Sequence, residues 1–196
     1  MAFLGGEALT GCDREHQGRA YLQFVEQLTP EPQIIETFAQ SHEQTKIYAW
    51  IGASIDAINH PLQMALAACQ QCFPAGECPE VAVYAAPFKD SLGFDGLCNL
   101  WTHPFTLLVD VGRVVPEDWL KLIVHEYAHA HLGHPGHSQD YGAVLAHLCL
   151  GLGFRPPPSS LDSLHHWPNY RRTDDITALW RGIAGYPSRP TLRFWP

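Results

Sequence analysis

The segment from Pro116 to Leu132 constrains this chain most, because it reads as one apolar helix that carries ionisable groups near its end. Both of its boundaries can be read from residue type. Pro116 lacks the N–H that a first turn would leave unpaired, and Glu117 and Asp118 lie beside the positive end of the helix dipole. Gly133, with Pro135 close behind, ends the helix. Within it stand His125, Glu126 and His129. Residues i and i+4 of a helix project from one face, so both imidazoles can reach a common point with Glu126 beside it. A glutamate in so apolar a helix is costly unless it has a partner or a task.

That arrangement, His-Glu-x-x-His, specifies a chemistry. Zinc held by the two imidazoles lowers the pKa of a bound water, and the intervening Glu126 takes its proton. A catalytic zinc wants a third protein ligand and one open position. His131 projects from a different face of the helix. No glutamate follows Glu126, which excludes a distant glutamate as third ligand. His134 and His137 remain, both beyond Gly133, where the chain can turn back. His137 is the stronger candidate, since it directly precedes Ser138, a helix cap, and so sits on a fixed element. The spacing from His129 to His137 does not match the long metalloprotease motif.

Around this segment the pattern predicts helices over Arg19–Leu28 and about Gln33–Gln44, with residues 1–18 loosely ordered. Residues 47–72 form a long apolar stretch, readable as one helix or as two divided near Asn59-His60-Pro61. Val81–Tyr84 reads as a strand, 88–97 as a loop, and Cys98–Trp101 with Phe105–Asp110 as a hairpin. Ser138 opens a further helix to Leu150. Residues 155–170 are loop-like, and a short helix is predicted over Asp174–Ile183. No linker divides the chain, so residues 1–196 are read as one α+β domain. Its core is expected to be a small mixed sheet flanked by helices, with the histidine-bearing helix packed on it.

Composition narrows the function. Apolar residues at 46% suit a globular domain, and a net charge of −8 disfavours nucleic acid as a partner. No apolar run approaches a membrane span, and Met1-Ala2-Phe3-Leu4 lacks the basic start of a secretion signal, so a cytoplasmic protein is expected. The cysteines are then thiols rather than disulfides. Cys69, Cys72 and Cys78 have zinc-like spacing but no adjacent fourth ligand, and they are read as buried thiols, leaving one catalytic ion. On the next helix Cys149 is assigned to the core and His147 to the core or to orienting a metal ligand, and His131 is assigned to solvent.

Taken together, His125-Glu126-x-x-His129, the variable loop, and His137-Ser138-Gln139-Asp140-Tyr141 resemble the SprT-like zincins. Their pattern is HExxH, a loop, then a histidine followed by a small residue and an aromatic three beyond. His125-Glu126-Tyr127-x-His129 also resembles bacterial proteins described as predicted zinc-dependent proteases. The resemblance implies a zincin-like fold, zinc on His125, His129 and His137, and Glu126 as general base for peptide-bond hydrolysis. A peptide or protein substrate would lie along a sheet edge, for which Cys98–Trp101 is the candidate. A donor to stabilise the oxyanion is sought beyond the ligands, with His165, His166 and Tyr170 as candidates. No basic or zinc-ribbon domain follows, so a DNA-repair role is not expected. A non-peptide amide hydrolase shares the same zinc and base, and a non-catalytic zinc-binding interaction protein is the alternative from another class.

Overall fold

Gly18 and Gly52 let the first two helices touch backbone to backbone. The computed structural model describes residues 11–158, 160, 163–164 and 167–183. Helix α1 spans Gly11–Gln27 and α2 spans Gln44–Gln70. A Cβ placed on Gly18 would lie 1.9 Å from the Tyr48 carbonyl oxygen, and one on Gly52 would lie 2.0 Å from that of Arg14. This contact corrects one expectation. Residues 11–18 are helical because Gly18 seats them against α2, whereas residues 1–10 lie outside the described residues.

Two further readings of the first half differ from the structure. No helix forms over residues 33–44, where a single 3-10 turn at Pro32–Ile34 leads into an isolated bridge between Ile35 and Phe88. Glu36 N–H donates to the Pro87 carbonyl at 2.9 Å and Lys89 N–H to the Ile34 carbonyl at 3.0 Å, so strand-type pairing satisfies a backbone that a helix would have satisfied internally. The apolar stretch that follows is one helix, continuous through Pro61. An interior proline costs about 3 kcal/mol. Buried Ile51, Ile58, Leu62 and Cys69 extend on both sides of it, and burying each such side chain contributes roughly 1.5–3 kcal/mol, which outweighs that cost.

The sheet has three strands, β1 (Val81–Ala85), β2 (Gly96–Asn99) and β3 (Phe105–Val109), in the order β1-β3-β2. β1 runs parallel to β3, pairing Val81 with Phe105 through Ala85 with Val109. β2 runs antiparallel, pairing Gly96 with Val109 through Asn99 with Thr106. The sheet is therefore mixed, as expected, and β2 is an edge. Thr106, Leu107, Leu108 and Val109 are all buried, so the central strand is covered on both faces. Asn59, itself buried in α2, accepts from Ala85 N–H at 2.8 Å and ties the helix to β1.

A 3-10 turn at Pro116–Asp118 opens helix α3, Trp119–Leu132, which packs on β2, β3 and α2. Gly133 closes it in the left-handed conformation at φ 63°. Ser138 then caps α4, Gln139–Gly151, its hydroxyl oxygen accepting from Tyr141 N–H at 3.3 Å. Residues 174–183, predicted as a helix, form successive turns instead. Gly182 takes φ 69°, and the Trp180 indole N–H donates to buried Asp110 at 3.1 Å, holding the segment to the core. Among the described residues no helix is long and apolar enough to cross a membrane.

Candidate metal centre

His125 and His129 occupy successive turns of α3, and their rings stand 5.1 Å apart. Gly133 turns the chain back so that His137 reaches the same point. One nitrogen from each of His125, His129 and His137 lies within 4.8 Å of the others, close enough to hold a metal ion. The Nε2 atoms of His125 and His137 are 3.2 Å apart. Ligand nitrogens about 2.0–2.1 Å from a tetrahedral ion stand roughly 3.3 Å from one another, so this pair fits one coordination sphere. Among the described residues no other three His, Cys, Asp or Glu side chains converge in this way.

The His129 ring is buried, and Nδ1 faces the His134 carbonyl oxygen at 3.1 Å. A carbonyl only accepts, so Nδ1 carries the proton and Nε2 keeps its lone pair for the centre. Burial, with His137 and His134 nearby, lowers the His129 pKa to about 4, so the ring is neutral at pH 7, the form that binds a cation. His134, the alternative third ligand, takes another part. It contributes that backbone carbonyl, while its exposed side chain accepts from Gly136 N–H at 2.9 Å.

Glu126 is only 7% exposed and lies at the edge of the sheet. Its pKa is raised to about 8, chiefly by burial, with an opposing hydrogen bond from the backbone N–H of Cys98. A Cβ on Gly96 would stand 2.5 Å from Glu126 Oε1, so the carboxyl group occupies the space that a side chain on β2 would fill. Glu126 and the edge strand are thus in contact, although the strand predicted over Cys98–Trp101 spans Gly96–Asn99 and leaves Trp101 in the turn beyond.

Of the residues considered as oxyanion donors, His165 and His166 lie outside the described residues. Tyr170 donates its hydroxyl to Asp95 Oδ2 at 2.5 Å, and Arg172 reaches the same oxygen at 2.7 Å. Asp95 directly precedes Gly96, so this cluster secures the C-terminal segment to β2. Trp167 of that segment lies nearly parallel to the His125 ring, at 6.4 Å and 14°.

Other expectations change. His131 is stacked on Phe73 at 3.9 Å rather than solvated, since Phe73 follows α2 and meets the outer face of α3. His147 is exposed and its Nε2 meets the Cys72 carbonyl oxygen at 2.7 Å, placing it away from the histidine group rather than in the core. Cys69 and Cys149 are buried. The Cys72 and Cys78 thiols lie against the carbonyls of Ala68 and Gln70 at 3.5 and 3.3 Å.

Sequence reading missed two residues of the site. Gly96 falls in the segment 88–97 that the sequence predicts as a loop, and only its lack of a side chain marks it. The sequence marks Tyr141 only as the aromatic of the motif. It is fully buried, its ring is stacked on His129 at 4.5 Å, and its hydroxyl oxygen lies 2.8 Å from His125 Nδ1. Comparison of the chain with protein-family models, with curated proteins and with solved structures returns no match.

Proposed function

We propose that the chain is a zinc-dependent hydrolase of peptide bonds with a zincin-like active site. The observation that carries this reading is the convergence of His125, His129 and His137 beside a buried glutamate of the same helix. A purely structural zinc site normally closes with four ligands and has no use for an adjacent base. Among the described residues the group numbers three, the ligand count of a catalytic site. Neutral imidazoles favour zinc over the hard cations that prefer oxygen.

His125, His129 and His137 would hold the ion, which when bound supplies Lewis acidity to a water and to a carbonyl oxygen. Glu126 then takes the water's proton on a carboxylate oxygen and returns it to the leaving amine as the C–N bond breaks, so one water is consumed per bond. An extended peptide would pair with the edge of β2, next to Glu126, through backbone hydrogen bonds. No role in the reaction is assigned to Tyr170, whose hydroxyl is committed to Asp95.

The test is zinc content together with cleavage of an unbiased peptide library, for the wild type, Glu126→Gln and His137→Ala. One zinc per chain in the wild type and in Glu126→Gln, loss of zinc in His137→Ala, and cleavage by the wild type alone are expected. A wild type that takes up no zinc after reconstitution overturns the reading. Cleavage that survives Glu126→Gln removes the proposed base.

A further inference from the structure

We infer that Tyr141 is a positioning residue for the three-histidine centre, its hydroxyl selecting which ring nitrogen of His125 faces the metal. This rests on the metal-centre reading above and adds a part that neither the His-Glu-x-x-His pattern nor the ligand set contains.

A neutral imidazole has one N–H and one lone pair, and a ligand must turn the lone pair inward. For His129 the choice is made by the His134 carbonyl, which can only accept. At His125 the group met by Nδ1 is a hydroxyl, that of Tyr141 at 2.8 Å, which can accept or donate. What tips the balance is a second acceptor: the His125 backbone carbonyl lies 3.4 Å from the same hydroxyl. The tyrosine proton goes to that carbonyl, its oxygen accepts Nδ1–H, and Nε2 is left with its lone pair toward His137 Nε2 at 3.2 Å.

Tyr141 is well placed to hold this geometry. It is fully buried, and its N–H is fixed by the Ser138 cap that directly follows His137. Its ring stacks on His129 at an interplanar angle of 28° and meets His137 edge-on at 4.6 Å and 86°. One side chain therefore touches all three rings, and a phenylalanine in its place would keep these ring contacts and lose only the hydroxyl.

The test compares wild type, Tyr141→Phe and Tyr141→Leu for zinc affinity, by chelator competition, and for the melting temperature of the metal-free protein. Partners of metal-bound histidines are worth about 10–100-fold in metal affinity. Tyr141→Phe should lose zinc affinity in that range with little change in metal-free melting, whereas Tyr141→Leu should lower both. Long-range 1H–15N spectra of the zinc-loaded wild type should show His125 bound through Nε2, with a proton on Nδ1. Unchanged zinc affinity in Tyr141→Phe, or His125 bound through Nδ1, overturns the inference and leaves the proposed function standing. A wild type that binds no zinc overturns both.

Discussion

Glu126 keeps its place because residue 96 has no side chain. Any Cβ there falls 2.5 Å from Oε1 and 2.9 Å from Leu122 Cδ1. Neither neighbour yields easily, since Glu126 and Leu122 both lie buried in α3. Gly96→Ala should therefore push the carboxyl group off the Cys98 N–H and destabilise the protein by about 1–3 kcal/mol, the usual cost of overpacking. Peptide cleavage should fall more steeply than zinc content, because the atoms nearest such a Cβ belong to Glu126 and Leu122 rather than to a histidine. Chemical denaturation, zinc analysis and cleavage measured on one preparation check this. Equal cleavage in Gly96→Ala and wild type would show that the base does not depend on the contact. At this scale the pairing of His125 with His129 was legible and the glycine was not. His125 and His129 are paired by helix periodicity alone, whereas Gly96 meets Glu126 only once β2 has paired with β3 and α3 has packed across them.

Helix ends carry the site as much as helix faces do. Gly133 terminates α3, and Ser138 caps α4 within a few residues, so His137 is suspended between two fixed points. Removing a serine cap costs about 0.5–2 kcal/mol. Ser138→Ala should lower stability by that amount and also weaken zinc binding, because the cap places both His137 and Tyr141. Replacing Ser138 with Asp, another good cap, should restore both, and isothermal titration beside denaturation would show it. Zinc affinity in Ser138→Ala equal to wild type would mean that the loop holds His137 without the cap. These boundaries were legible because proline, glycine and serine act locally, through φ and through short hydrogen bonds. The helix predicted over 33–44 failed for the opposite reason. Residues 34–36 find their partners at 87–89, and no pattern within the segment records that. In α2 the proline was visible, but the burial that overrides it was not.

For the molecule as a whole, the described C-terminal residues matter because they are tied to the two elements that meet at Glu126. Arg172 bonds Asp95 beside β2, and Arg171 bonds Asp118 at the head of α3 through both its N–H and its Nε, each at 3.0 Å. Lys121 adds a bond to Asp118 at 2.8 Å. Burial opposes ionisation of Asp118, but the bonds from Lys121 and Arg171 outweigh it and hold its carboxyl below the usual carboxylate range. A pKa depressed on folding means that the unfolded chain binds the proton more readily. The stabilisation is thus fully present above the unfolded pKa of about 3.9 and is lost as pH falls through the lower folded value. Asp118→Asn should be less stable at pH 6 by about 1–3 kcal/mol, the cost of charge-assisted bonds to a buried group. The gap should narrow steadily as pH is lowered past 4, since the wild-type carboxylate is then neutralised as well. Urea unfolding of both proteins from pH 6 to pH 2.5, in metal-free buffer, measures the gap without interference from the histidine centre. A gap that stays constant over that range would mean that the Asp118 charge does not hold Arg171 to α3.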